Sequence, residues 1–140
     1  MSNNFIGVYE NVLPAGNCQQ IIDFFEKCEK LGLTRNRQEN DGVSKLQKQD
    51  DSLFIPMTSV LEIGGYDVVQ VLGTLFWTHA YARYIDEYPA LEQLSKQQIY
   101  TYKVQRTQIG GGYHVWHPEQ YDRLTSDRVL AFTCYLNDVE

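Results

Sequence analysis

The hydrophobic period of this chain changes once along its length, and that change restricts the folds open to it. Up to Tyr88 the apolar residues recur at helical spacing, whereas from Gln97 onward β-branched and aromatic residues dominate. Ile21, Ile22, Phe24, Phe25, Cys28 and Leu31 form one stripe, which predicts an amphipathic helix over 14–31, with Pro14 in its first turn and Gly32 as its stop. Val68, Val71, Leu72, Leu75, Phe76, Ala80, Tyr84 and Ile85 form a second, predicting a helix from a cap at Asp67 to Tyr88-Pro89. Residues 99–107, 113–117 and 128–137 read as strands, the last apolar on both faces and therefore central. Two shorter runs, 5–9 and 52–55, also read as strands. Helices first and strands last predict an α+β fold in which helices buttress a sheet.

Residues 33–51 break both periods. They are almost devoid of apolar side chains and carry an Asp41-Gly42 turn signal, so they read as a long solvated loop, with a substrate-covering lid as the functional alternative. The length of 140 residues suits a single domain with a real core. A formal net charge of −6 argues against the nucleic-acid backbone as a partner. Ten tyrosines favour strands and half-buried walls that present a hydroxyl, hence a polar-lined cavity. Cys18, Cys28 and Cys134 have no paired spacing and read as small buried hydrophobes of a reducing compartment. No signal peptide or membrane-length apolar run is visible, so the expected location is cytoplasmic, without a membrane partner.

The chemistry concentrates in Gly110-Gly111-Gly112-Tyr113-His114-Val115-Trp116-His117-Pro118-Glu119. His117 and Glu119 are two apart, so on an extended strand an imidazole and a carboxylate share one face. They would supply two members of a 2-His-1-carboxylate set, which leaves positions open on a non-haem Fe(II). On the same strand geometry His114 faces away, Trp116 belongs to the core, and His79 sits on the second helix as a packing or surface residue. A third ligand is not apparent.

These residues, followed by Arg128-Val129-Leu130-Ala131-Phe132-Thr133-Cys134-Tyr135-Leu136-Asn137, resemble the first half of the catalytic barrel of Fe(II)/2-oxoglutarate-dependent dioxygenases. The similarity is to the prolyl 4-hydroxylase-like branch, and within it to the short enzymes of tailed bacteriophages. It covers residues 99–140 closely, the first thirty or so residues more loosely, and the middle in element order alone. The resemblance implies a double-stranded β-helix of the jelly-roll or cupin kind, of which 1–140 would hold the first part as one C-terminally incomplete domain. It implies His117 and Glu119 as iron ligands, and Tyr135 as donor to the distal carboxylate of 2-oxoglutarate. Tyr102, Gln105 and Thr107 would line the co-substrate pocket. Fe(II), 2-oxoglutarate and ascorbate are the implied cofactors, a peptide or protein, such as a peptidyl proline, is the implied substrate, and succinate and CO₂ are the products. For a phage protein the compartment would be the host cytoplasm. In the family the distal histidine and the basic partner of 2-oxoglutarate follow the Tyr-Leu-Asn turn, so the 140-residue chain by itself is expected to be inactive. A non-catalytic barrel-like binding module is the alternative, as is an enzyme of another metal with Glu140 or His79 as third ligand.

Overall fold

The computed structural model describes residues 4–55 and 58–138, with Thr58 described by its backbone. They form an α+β structure of two compact units, both discontinuous in sequence: Met1–Thr34 with Leu53–Val104, and Arg35–Ser52 with Gln105–Glu140.

The first unit is helical. Helix α1 (Ala15–Lys30) buries Ile21, Phe24, Phe25 and Cys28, the stripe that its spacing predicts. Pro14 precedes it, and its carbonyl accepts from the N–H groups of Asn17 and Cys18 at 2.9 and 3.1 Å. Lys27 and Lys30 lie in the last turn, where cations favour the exposed carbonyls, and Gly32 ends the helix at φ 69°.

A second helical run follows the described start of α3 (Thr58–Val60). It passes through a wide i→i+5 turn at Leu61–Gly65 into α4 (Tyr66–Thr74), then a second wide turn at Leu75–Tyr81, and ends in α5 (Ala82–Glu87). The backbone leaves helical geometry at Gly64 (φ 120°), and the Ile63 carbonyl there accepts from Lys27 Nζ at 2.9 Å. A Cβ on Gly65 would stand 2.7 Å from the Val60 carbonyl oxygen, so glycine is required at the break. Asp67 does not cap this run as expected, because Gly65 and Tyr66 before it are already helical. A short 3₁₀ turn at Pro89–Gln93 closes it. Among the described residues no helix is long and apolar enough to cross a membrane.

Val60, Val68, Leu72, Leu75 and Phe76 of this run are buried, as are Ile21, Leu53, Ile55 and Val104 of the same unit. Each fully buried aliphatic of this set is worth about 1.5–3 kcal/mol relative to leaving it in water.

Apart from the one at 51–55, the strands are shorter than the sequence suggests. β1 (Arg35–Asn36), β2 (Lys48–Gln49), β3 (Asp51–Ile55), β4 (Tyr102–Arg106) and β5 (Gly112–Tyr113) make two small sheets, in the orders β1-β3-β4 and β2-β5. β3 and β4 fall where the expected strands at 52–55 and 99–107 lie. Residues 33–51 are not one long loop. They hold β1, β2 and a short helix α2 (Arg37–Asp41), begun by the Asn36 side chain accepting from the N–H groups of Gln38 and Glu39 and ended by Gly42 at φ 64°.

Three other expectations fail. Residues 5–9 are not a strand: Asn4 and Phe5 have φ of 53° and 65°, the Phe5 ring packs 5.2 Å from that of Tyr88, and Tyr84 donates to the Phe5 carbonyl at 2.6 Å. The extended piece after the glycines stops at Tyr113 instead of reaching His117. Residues 128–137 form no strand, and Val129, Phe132 and Tyr135 are exposed.

Candidate functional site

The second unit is held by charge more than by apolar burial. Asp50 lies with its side chain fully out of solvent, accepting from Arg37 Nε at 3.2 Å and Ser52 Oγ at 2.8 Å, while Lys48 Nζ stands 3.3 Å from its other oxygen. Arg37 also reaches Asp41 at 2.8 Å, and Arg35 pairs with the same carboxylate. The hydrogen bond from Arg37, supported by Arg35, outweighs desolvation and holds the Asp41 carboxyl below its usual range. Arg106 reaches Asp51 at 3.2 Å, and Asn36 donates to Asp51 at 2.7 Å, beside the antiparallel pairing of Asn36 with Asp51.

The glycine triplet brings the chain back to β2. A Cβ on Gly111 would lie 3.0 and 3.1 Å from the carbonyl oxygens of Gln108 and Gln49, while Gly110 and Gly112 take φ of 78° and 149°. This close approach sets β5 antiparallel to β2, with Tyr113 directly opposite Lys48, and the His114 N–H adds a bond to the Gln47 carbonyl at 2.9 Å. Lys48 Nζ sits 4.3 Å from the centre of the Tyr113 ring, a cation–π contact.

His117 lies in the loop beyond β5, its imidazole stacked on Tyr113 with centroids 3.7 Å apart and planes 17° from parallel. Its Nδ1 is 3.2 Å from the Val115 carbonyl oxygen. A carbonyl only accepts, so this contact is a hydrogen bond when Nδ1 carries a proton. Nε2 is the nitrogen turned to Glu119, 3.5 Å from Oε1. The two residues thus converge as the spacing predicts, although through a loop instead of a strand.

A hydrogen-bonded turn places a third group there. Thr125, buried, accepts at Oγ1 from the N–H groups of Tyr121 and Asp122 at 3.1 Å each, and Asp122 Oδ1 accepts from the N–H groups of Leu124 and Thr125 at 2.9 Å each. The turn returns the chain so that Arg128 Nη1 stands 3.3 Å from Glu119 Oε2 and 3.2 Å from the Glu119 carbonyl, while Gln120 donates to the Arg128 carbonyl. The side chains of His117, Glu119 and Arg128 are 37%, 56% and 47% exposed, so the cluster is open to solvent.

The residues expected around a co-substrate are spread out. Tyr135 is 77% exposed. Tyr102 belongs to the helical unit, where burial pushes its phenol above the ordinary value and its hydroxyl lies beside Gly73. Gln105, an odd number of positions along β4, points to the other face and donates to Thr107 at 3.2 Å. Trp116, expected in the core, is fully exposed because residues 114–118 are loop and no longer alternate as a strand does. His79 is exposed on the helical unit, and Glu140 lies outside the described residues. Among the described residues no three His, Cys, Asp or Glu side chains converge as a metal-ligand group.

Sequence reasoning missed Lys48, Tyr113 and Arg128 as neighbours of this pair. For Lys48 and Tyr113 the usable signal is the β2–β5 register, which depends on a pairing across nearly half of the chain. No protein-family model, curated protein or solved structure matches the chain.

Proposed function

We propose that this chain contributes to the metal centre of an Fe(II)/2-oxoglutarate-dependent dioxygenase, with His117 and Glu119 as two iron ligands. The observation that carries this reading is the 3.5 Å approach of His117 Nε2 to Glu119 Oε1 while Nδ1 is committed to the Val115 carbonyl. An imidazole oriented through its other nitrogen, beside a carboxylate, is the usual ligand arrangement for a divalent transition metal. The donor set fits two positions of the iron, and the resemblance assigns the third ligand and the basic partner of 2-oxoglutarate to strands after the Tyr-Leu-Asn turn. The same reading makes residues 128–137 a barrel strand of a double-stranded β-helix, with Tyr135 donating to the distal carboxylate of 2-oxoglutarate and Gln105 and Thr107 near it. Bound iron and 2-oxoglutarate would supply, with O₂, the oxidation that hydroxylates a C–H bond of a peptide or protein such as a peptidyl proline, with release of succinate and CO₂. The chain's own part is to hold the two donors and orient the imidazole with Nε2 towards the carboxylate.

A non-catalytic binding module is the second reading, favoured by the lack of a third donor among the described residues. Anaerobic titration with Fe(II), or with Co(II) as a spectroscopic stand-in, separates them. Under the first reading the 140-residue chain binds the metal, His117→Ala and Glu119→Ala each remove that binding, and 2-oxoglutarate is not turned over to succinate by this chain alone. Equal binding by wild type and His117→Ala refutes it.

A further inference from the structure

The helical unit carries an open cleft of about 480 Å³, a size common among small-molecule sites. Its lining residues all fall between Trp77 and Gln97, so it belongs to that unit alone. Its aromatic part is Trp77 and Tyr81, both on the wide turn Leu75–Tyr81, with ring centroids 5.0 Å apart and planes 80° from parallel. The buried Phe76 ring braces both, 4.8 Å from Trp77 and 5.5 Å from Tyr81, so the two rings are held in place before any ligand arrives. A wide turn of this kind gives up regular α-helical hydrogen bonding and recurs at functional sites. Leu91 and Leu94 add further apolar surface.

The protein leaves the polar groups of this cleft unused. Among the described residues the Trp77 indole N–H and the Tyr81 hydroxyl have no hydrogen-bond partner, although both side chains are half-buried, where such groups usually find one. Glu92 and Lys96 line the same cleft, and among the described residues neither has an ion-pair partner, not even the other. Opposite charges that share a cleft without pairing are complementary to a ligand that carries both signs. We propose that the cleft binds a small zwitterion with an apolar body, of the apolar α-amino acid kind. Lys96, with the Trp77 and Tyr81 donors, takes the carboxylate, Glu92 takes the ammonium, and the two rings with Leu91 and Leu94 take the side chain. The site is separate from His117 and Glu119 and stands whether or not they hold a metal.

The chain has two tryptophans, so Trp116→Phe in the full 140-residue chain leaves the indole ¹H–¹⁵N cross-peak of Trp77 as a lone reporter on the cleft. The probes are phenylalanine, phenylpropionate, which lacks the ammonium, and phenethylamine, which lacks the carboxylate. Phenylalanine should shift the peak saturably, and each of the other two should bind about fivefold more weakly, the most that one exposed ion pair contributes. Lys96→Met should weaken phenylalanine about fivefold and leave phenethylamine unchanged, whereas Glu92→Gln should weaken phenylalanine alike and leave phenylpropionate unchanged. Both substituted side chains are exposed, so neither change puts the fold at risk. No saturable shift up to about 10 mM phenylalanine overturns the proposal. So does equal affinity for the three probes, or equal phenylalanine affinity with and without the two charge substitutions.

Discussion

Asp50→Asn should loosen the second unit more than any change on its surface. The substitution keeps shape and volume but removes the charge that faces Arg37 Nε at 3.2 Å and Lys48 Nζ at 3.3 Å. A hydrogen bond involving an ionised partner is worth about 1.5–3 kcal/mol, so two such contacts set an upper limit of about 6 kcal/mol. The replacement amide would retain one acceptor oxygen, and the Arg37 and Lys48 side chains, 20% and 15% exposed, can recover part of their hydration. The net loss is therefore about 2–3 kcal/mol, below the cost of stranding a wholly buried charge. Native-state hydrogen exchange is the suitable assay, because the His114 and Arg37 amides bond to Gln47 and Asp50 carbonyls within this unit. Their protection should drop by roughly 30- to 150-fold, at about 1.36 kcal/mol per tenfold. A change of less than about threefold would refute the argument that this carboxylate anchors the unit. An Arg37→Met cycle then apportions the loss between the two cations.

Two further outcomes follow from exposed and buried groups respectively. Under the metal-centre reading Arg128 would compete with the metal for Glu119, but both side chains are about half exposed and such a pair is worth at most about 1 kcal/mol. Arg128→Ala should thus tighten Co(II) binding by no more than about fivefold, measured by absorbance titration, and weaker binding would show that the guanidinium assists the ligand. Burial raises the Tyr102 phenol, so the folded state resists ionisation more than the unfolded chain does. Its contribution is intact below the ordinary value near 10 and is lost as pH rises through the folded value. In urea melts taken across alkaline pH, Tyr102→Phe should lose less stability than wild type, the difference being the share carried by this phenol.

Periodicity captured what repeats locally and lost what depends on a distant partner. Helix α1 and the run from Tyr66 to Glu87 were legible because each buries a stripe at helical spacing against neighbours in its own unit. The strands at 51–55 and 102–106 were legible through alternation and β-branched content. Residues 33–51 read as loop because their order comes from ion pairs and a cap, which leave no apolar trace. The segment at 128–137 shows the reverse: its β-branched and aromatic content leaves Val129, Phe132 and Tyr135 exposed, and strand content alone does not make a strand. At the candidate site His117 and Glu119 meet through a loop and not through strand alternation, and their neighbours arrive through long-range pairing (Lys48, Tyr113) and a side-chain-closed turn (Arg128).

The interleaving of the two units bears on the order in which the chain can be made and cut. Residues 35–52 leave the ribosome long before Tyr113, so Lys48 and Gln49 wait for their strand partner until the whole helical unit has emerged. Neither unit corresponds to a contiguous piece of gene. A fragment beginning after the second helical run would contain His117 and Glu119 but neither the lysine nor the buried aspartate behind them. Excising the second unit intact calls for a short linker in place of residues 53–104, not for a new start codon.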